Sequence, residues 1–175
     1  EIFDACPNLK YIGVLATGYN VIDLEAARAH GVTVTNIPAY STDSVAQHVF
    51  AFILNFTNQV SIHNESVQNG DWIKCRDFCF WNSSLMELKG KTLGIFGYGN
   101  IGKKVAEIAK VFGMKVICCT RTPKEGMPEK VTFEELLSRS DFLTLHAPLT
   151  EETANIINKD SLKLMKKTAY LINTA

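Results

Sequence analysis

The stretch TLGIFGYGNIGKKVAEIAKVFG, residues 92–113, decides how the chain folds. Its first five residues are short and mainly apolar, which suits a strand that is buried on both faces. Apolar residues then recur at helical spacing on one face, namely Ile101, Val105, Ile108, Ala109 and Phe112. Gly113 supplies a C-terminal stop for that helix. The stretch therefore predicts a buried strand, a tight turn and an amphipathic helix.

The turn, here called the glycine loop (residues 97–102), carries Gly97, Gly99 and Gly102 in the pattern GxGxxG. In this setting the first glycine permits a tight turn, and the second lets a diphosphate approach the backbone. The third lets the helix and the strand pack closely. The backbone N–H groups of Asn100 and Ile101 would face that diphosphate, which the helix dipole also favours. A turn that merely begins a helix is the alternative, but the flanking strand and helix favour dinucleotide binding.

Composition and charge exclude several classes of partner. The 175 residues are 46% hydrophobic and 21% charged, and 18 basic side chains balance 18 acidic ones. The chain therefore offers no electrostatic basis for binding nucleic acid or an anionic membrane. It contains no apolar run long enough to cross a bilayer and no signal-peptide pattern at its N-terminus. The five cysteines show no metal-binding spacing, so we expect reduced thiols, no metal site and a cytoplasmic location.

The first ninety residues divide into two predicted regions. Residues 1–40 alternate strand, helix and strand, over 10–16, 23–30 and 32–37. Residues 41–90 begin with one long helical pattern that opens on a Ser44-x-x-Gln47 capping box and ends near Gly70. The aromatic segment (residues 71–89) follows, with Trp72, Phe78, Phe80 and Trp81 in an irregular pattern. It is either a packed connection or a partner surface.

The region from 91 to 175 has the rhythm of a Rossmann-type α/β domain. Strands are predicted over 92–96, 115–119, 142–146 and 169–172, and helices or helical turns over 101–112, 133–139, 151–156 and 160–166. A Thr132-x-x-Glu135 capping box marks the start of one helix. This alternation predicts a doubly wound, mainly parallel sheet that binds ligands at the carboxyl ends of its strands. Both ends of the sequence look cut, so we expect this domain to be incomplete.

Several more motifs follow one another in a characteristic order. They are LATGYNVID at 15–23, GVTVTN at 31–36, STDSVAQ at 41–47, LxGKTxG at 88–94, HAPLTxxT at 146–153 and LINTA at 171–175. With the glycine loop, they resemble the D-isomer-specific 2-hydroxyacid dehydrogenases over nearly the whole chain. Through DFCFW at 77–81 the chain also resembles the glycerate dehydrogenase, or hydroxypyruvate reductase, branch of that family.

The resemblance implies a two-domain protein in which NAD or NADP carries a hydride and the protein positions a small 2-keto or 2-hydroxy acid. Residues 1–40 would then be part of a flavodoxin-like substrate domain, and 41–90 a long connecting helix and dimerisation region of a homodimer. Residues 91–175 would be the NAD(P)-binding domain. The family's catalytic Arg, Glu and His would follow Ala175. We therefore expect no catalytic residue within the chain, poor or no productive binding and no turnover by this fragment alone.

The end of the strand 115–119 bears on the choice of cofactor. Proteins that prefer NAD usually place an acid there to bind the ribose hydroxyl. This chain has Thr120 and Arg121 instead, so no carboxylate repels a 2′-phosphate and Arg121 is available to pair with one. We predict use of NADP or of both cofactors, with a solvated Arg121 as the alternative.

The remaining site residues come from the resemblance. It implies that His146, Ala147, Pro148 and Thr153 line the ribose and nicotinamide side, although a structural histidine is the alternative for His146. Asn173, Thr174 and Ala175 would lie beside the nicotinamide carboxamide, and Val45 would face the cleft near the nicotinamide. Ala16, Thr17 and Gly18 match the loop that holds the substrate carboxylate, with a simple turn as the alternative. Gln47 stands where this motif more usually has Glu.

Three hypotheses follow. The first is a dehydrogenase that reduces hydroxypyruvate or glyoxylate. The second is a non-enzymatic sensor of NAD(H), because relatives with this fold act as corepressors. The third is a fragment that keeps the fold and forms dimers without a catalytic function.

Overall fold

The computed structural model describes all 175 residues, which form two compact units, Glu1–Thr42 and Asp43–Ala175. The first unit contains two parallel strands, β1 (Tyr11–Val14) and β2 (Thr33–Asn36), and two helices, α1 (Ile2–Ala5) and α2 (Leu24–Ala29). The Asp23 carboxylate caps α2 by accepting a hydrogen bond from the Ala26 N–H at 2.9 Å. The predicted strand, helix and strand are confirmed. The single turn α1 was not predicted, because it is too short to show a periodic pattern.

The second unit opens with three helices, so the prediction of one long helix is wrong. The three are α3 (Thr42–Asn58), α4 (Val60–Gln68) and α5 (Asp71–Lys74). The break falls at Gln59, whose left-handed backbone has φ 46°. Because α3 begins at Thr42, Ser44 lies in its first turn and not at the predicted N-cap position.

A parallel sheet of five strands forms the centre of the second unit. The strands are β3 (Thr92–Phe96), β4 (Lys115–Cys119), β5 (Glu129–Lys130), β6 (Phe142–Leu145) and β7 (Tyr170–Asn173), in the spatial order β5-β4-β3-β6-β7. Three more helices lie between them in sequence, α6 (Asn100–Val111), α7 (Phe133–Arg139) and α8 (Lys159–Leu164). The predicted α/β fold and the Thr132 capping box are confirmed. Only the two-residue strand β5 was missed.

The sheet register brings the carboxyl ends of the strands to one edge. Phe96 pairs with Cys119 of β4 and with Leu145 of β6, and Leu145 pairs with Asn173 of β7. The strand order reverses at β3, since β4 lies on one side of it and β6 on the other. Open parallel sheets bind ligands outside such a switch point. The loops that follow β3, β4 and β6 therefore form the candidate site.

Apolar side chains cover both faces of this sheet. One cluster packs α3 and α6 against the sheet, and its members include Val49, Ile53, Ile95, Val105 and Phe142. The other packs α7 against the sheet through Ile117, Leu136, Leu137 and Leu143. Cys118 is completely buried, whereas Cys119 in the same strand is half-buried. Burial raises the pKa of both the Cys118 and the Cys119 thiol. Length and hydropathy rule out each helix as a membrane span.

Candidate dinucleotide-binding site

Gly97 begins the glycine loop in a conformation that only glycine adopts without strain. Its φ is +94°, and its N–H donates to the Cys119 carbonyl at 2.9 Å. A Cβ on Gly97 would lie 2.6 Å from the Ala147 nitrogen and 2.7 Å from the His146 carbonyl carbon. The backbone after β6 therefore packs directly against the backbone of the loop after β3. This contact explains the need for glycine at the first position of the pattern.

The other two glycines of the pattern meet opposite surroundings. A Cβ on Gly102 would collide with the Gly97 carbonyl oxygen and lie 3.2 Å from Cγ2 of Ile95, so its absence lets α6 approach β3. A Cβ on Gly99 would meet nothing within 4 Å. The space in front of Gly99 is open at the N-terminus of α6, a helix without a side-chain cap or an acidic residue in its first turn. The unpaired amides of such a helix end attract an anion.

A cavity of about 500 Å³ lies at this edge of the sheet. Eight of the predicted site residues line it: Gly97, Gly99, Thr120, Arg121, His146, Ala147, Pro148 and Thr153. Its wall also includes residues that sequence reasoning missed, among them Phe96, Tyr98, Phe133, Glu152 and Ile156. The apolar members of this second set suit a flat aromatic base, while the loops after β3, β4 and β6 supply polar groups. Of these missed residues, only Phe96 could have been predicted from the sequence, because it ends β3.

His146 is held in place at the back of this cavity. Its backbone N–H donates to the Phe96 carbonyl at 2.7 Å, and its Nε2 lies 2.9 Å from Oγ1 of Thr144. Its Nδ1 is buried without a hydrogen-bond partner. Burial lowers the pKa of His146 to about 4, so the ring is neutral near pH 7. A neutral ring adds no positive charge to the cavity.

The turn after β6 is braced by its own threonines. The Thr153 hydroxyl donates to the Pro148 carbonyl at 2.7 Å, and the Thr150 N–H donates to Oγ1 of Thr153 at 2.8 Å. The same turn carries Glu152, whose Oε2 lies 3.7 Å from Nη1 of Arg121. Arg121 therefore has an acidic partner, and 84% of its side-chain surface is still exposed to solvent.

Three other predicted residues line a second cavity, of about 550 Å³, between α3 and the end of β7. They are Val45, Asn173 and Thr174, joined there by Ser44, His48 and Phe52. Oγ1 of Thr174 is buried without a hydrogen-bond partner. The N–H of Ala175 donates to Oδ1 of Asn173 at 3.1 Å. Neither cavity is lined by Asn100, Ile101, Gly102 or Ala175.

The predicted substrate loop lies in the first unit, directly after β1. The Ile37 N–H donates to the Ala16 carbonyl at 3.2 Å, and the Thr17 hydroxyl donates to the Ile37 carbonyl at 3.3 Å. The side-chain amide of Asn36 donates to the Thr17 carbonyl at 2.8 Å. Residues 16–18 are thus tied to the end of β2. These contacts use carbonyl groups and one hydroxyl of the loop, and not its N–H groups.

The chain is similar to known proteins of one family. The family described as "D-isomer specific 2-hydroxyacid dehydrogenase, NAD binding domain" matches residues 50–175. A hydroxypyruvate reductase of Blautia hydrogenotrophica is 42% identical, with 100% of this chain and 56% of the relative covered. A glycerate dehydrogenase of Methylorubrum extorquens is 43% identical, with 97% and 53% covered. The chain therefore spans about half the length of the curated relatives it matches.

A solved structure extends the likeness to three dimensions. The D-lactate dehydrogenase of Aquifex aeolicus, complexed with NAD and lactic acid, superimposes with a TM-score of 0.88 at 37% identity. The superposition covers 99% of this chain and 52% of that one. The named relatives are reductases or dehydrogenases, so they give no support to the sensor alternative.

Proposed function

The chain belongs to the D-isomer specific 2-hydroxyacid dehydrogenase family, and on that premise we propose that the whole protein reduces hydroxypyruvate or glyoxylate with a nicotinamide dinucleotide. The names of its relatives, hydroxypyruvate reductase and glycerate dehydrogenase, support this substrate class. When bound, such a dinucleotide supplies the hydride that converts the keto group to a hydroxyl. The residues of this chain bind and orient it.

The observation that carries the proposal is the contrast among the three glycines of the loop. Gly97 and Gly102 are closed in by backbone, whereas the space in front of Gly99 is open and lies at an uncapped helix N-terminus. A purely structural turn could carry Ser, Thr, Asp or Asn at this N-cap position, whereas Gly leaves the space in front of the helix free of any side chain. We assign the diphosphate to this space, facing the amides of Asn100 and Ile101.

The other assignments follow the walls of the two cavities. Thr120 and Arg121 would bind the adenosine ribose, and His146, Ala147, Pro148 and Thr153 would line the opposite wall of the first cavity. Val45, Asn173, Thr174 and Ala175 would form the nicotinamide side, where the unpartnered hydroxyl of Thr174 favours a polar ligand. Ala16, Thr17 and Gly18 would bind the substrate carboxylate in the first unit.

NADP, or both cofactors, remains part of the proposal. NAD binding is the property of the family, and Arg121 supports an additional ability to accept a 2′-phosphate.

A homodimer that forms through the aromatic segment is also proposed. In that segment Phe78 is 91% exposed, Ile73 88% and Trp81 65%, which is unusual for large apolar side chains so close in sequence.

Titration of the chain with NADH, followed by calorimetry, tests the cofactor site. We expect saturable binding that Gly99→Ala weakens by about tenfold or more, because a new Cβ fills the space where the backbone meets the diphosphate. The melting temperature of Gly99→Ala should fall by only a few degrees, since the Cβ meets no protein atom within 4 Å and the one cost is that of Ala at an N-cap, about 1 kcal/mol. Equal NADH affinity of the two proteins would contradict the assignment of the diphosphate.

Turnover is a separate test and requires the whole protein. We expect it to oxidise NADH or NADPH in the presence of hydroxypyruvate or glyoxylate, followed by the loss of reduced-nicotinamide absorbance. A whole protein that binds the dinucleotide yet reduces no small 2-keto acid would contradict the proposed reaction and leave the cofactor site standing.

A further inference from the structure

Two opposite charges face each other across the first cavity. Arg121 follows β4 and Glu152 lies in the turn after β6, so the two residues come from strands on opposite sides of β3. Nη1 of Arg121 lies 3.7 Å from Oε2 of Glu152, and both side chains line the cavity. They remain accessible, with 84% and 75% of their side-chain surfaces exposed. A ligand that enters this part of the cavity therefore meets both charges.

The turn presents Glu152 from a fixed backbone. Hydrogen bonds from the Thr153 hydroxyl to the Pro148 carbonyl and from the Thr150 N–H to the Thr153 hydroxyl hold the residues on either side of it. Its neighbour Glu151 is exposed, does not line the cavity and has no ion pair. The two adjacent glutamates thus differ in whether they face the cavity.

The charges discriminate between the two dinucleotides. A 2′-phosphate carries roughly 1.5 to 2 negative charges and pairs well with a guanidinium, whereas a 2′-hydroxyl is neutral and donates well to a carboxylate. Glu152 repels the phosphate and competes with it for Arg121. The same carboxylate leaves the hydroxyl unaffected or binds it. Arg121 and Lys124, which also lines the cavity, would together favour NADPH, and Glu152 opposes that preference.

We propose that Glu152 is a specificity-determining residue that shifts the cofactor preference from the 2′-phosphorylated dinucleotide toward the one with a free 2′-hydroxyl. The carboxylate that NAD-preferring proteins place at the end of β4 is here supplied from across the cavity, by the turn after β6. This inference rests on the proposed function, because it requires the adenosine ribose to lie between Arg121 and Glu152.

The test is the affinity of the full chain for NADH and NADPH in four variants. Glu152→Gln should bind NADPH about threefold more tightly, the size expected for one exposed charge interaction, and should bind NADH with nearly unchanged affinity. Glu151→Gln, the matched control, should leave both affinities unchanged. Arg121→Ala should weaken NADPH binding, and in that background Glu152→Gln should tighten it by less than in the wild type, because the repulsion persists and only the competition for Arg121 is gone. The effect of Glu152→Gln should shrink at high salt.

The outcomes separate this inference from the proposed function. An unchanged NADPH-to-NADH affinity ratio in Glu152→Gln, with normal NADH binding, would overturn the inference alone. Equal tightening of both nucleotides, or the same gain in Glu151→Gln, would also overturn it, because either result indicates a general charge effect. A chain that binds neither dinucleotide would overturn both proposals.

Discussion

The glycine loop and the aromatic segment lie close in sequence and in the same unit, yet they differ in the burial of their apolar side chains. Beside the glycine loop, Leu93 and Ile95 are completely buried. In the aromatic segment, Ile73 and Phe78 are 88% and 91% exposed. An apolar pattern alone therefore does not determine burial. The difference lies in the backbone. Gly97 and Gly102 let it pack closely in the glycine loop, whereas hydrogen bonds to polar side chains hold part of the aromatic segment.

A chain of polar contacts holds the start and the middle of the aromatic segment against α4. The Asn82 N–H donates to Nε2 of His63 at 3.2 Å, so Nδ1 carries the ring proton and donates to the Gln59 carbonyl at 2.9 Å. The Asn82 amide donates to Oγ of Ser66 at 2.8 Å, and the Ser66 hydroxyl donates to the Asp71 carboxylate at 2.5 Å. These bonds hold the backbone, while the rings of Trp72, Phe78 and Trp81 stay exposed.

The largest expected effect is that of Gly97→Ala. Its Cβ would lie 2.6 to 2.8 Å from the backbone of residues 146 and 147, at a φ of +94°, so both strain and overlap oppose folding. We expect the free energy of unfolding of the second unit to fall by about 3 to 5 kcal/mol in denaturant titrations. Gly99→Ala is the control and should lower it by no more than about 1 kcal/mol, the cost of Ala at an N-cap. Equal losses in the two variants would break the distinction between a packing glycine and a ligand-facing one.

The second effect is a pH dependence of the free energy of unfolding, caused by His146 beside the glycine loop. Burial lowers the folded-state pKa of His146 to about 4 from 6.5, so between these values the unfolded chain binds a proton that the folded chain does not. Stability should therefore fall as the pH is lowered from 6.5 toward 4, with a total contribution on the order of 3 kcal/mol. His146→Gln should flatten the curve of unfolding free energy against pH, whereas His48→Gln, at an exposed position, should not.

Sequence reasoning succeeded where a signal is local in the chain. The strand 92–96, the stop at Gly113 and the capping box at Thr132 each depend on residues within a few positions of one another. The break between α3 and α4 at Gln59 was not predicted, because the residue with the left-handed backbone is neither glycine nor proline.

The ion pair between Arg121 and Glu152 could not be predicted from the sequence, for a different reason. The two residues are brought together by the strand order and not by their spacing in the chain. The neutral state of His146 likewise depends on burial that the full sheet creates.

The third effect tests the polar contacts of the aromatic segment. Ser66→Ala removes the hydroxyl that joins Asn82 to Asp71. The free energy of unfolding should fall by only about 1 kcal/mol, because the Asn82 and Asp71 side chains can bind water in place of the lost hydroxyl. Amide hydrogen exchange should accelerate at Asn82 and in the first turn of α5, while the glycine loop keeps its protection. Ser61→Ala, at an exposed position of the same helix, is the matched control. Faster exchange in both regions would show that they do not open independently.

The smallest effect on stability is expected at the tip of the aromatic segment. Phe78→Ser should change the free energy of unfolding of the monomer by less than about 0.5 kcal/mol, because the ring is already 91% exposed. Phe142→Ser, at a completely buried ring, should by contrast prevent stable folding.

Phe78→Ser should have a clear effect on dimer formation, although its effect on stability is small. If the aromatic segment forms the dimer contact, sedimentation at micromolar concentration should detect dimers of the wild type, and Phe78→Ser should weaken them. Leu149→Ser, at a residue that is 72% exposed in the turn after β6, should leave them intact. A wild-type monomer would remove the dimer proposal. Equal loss of dimers in both variants would mean that general surface hydrophobicity, and not this segment, causes the association.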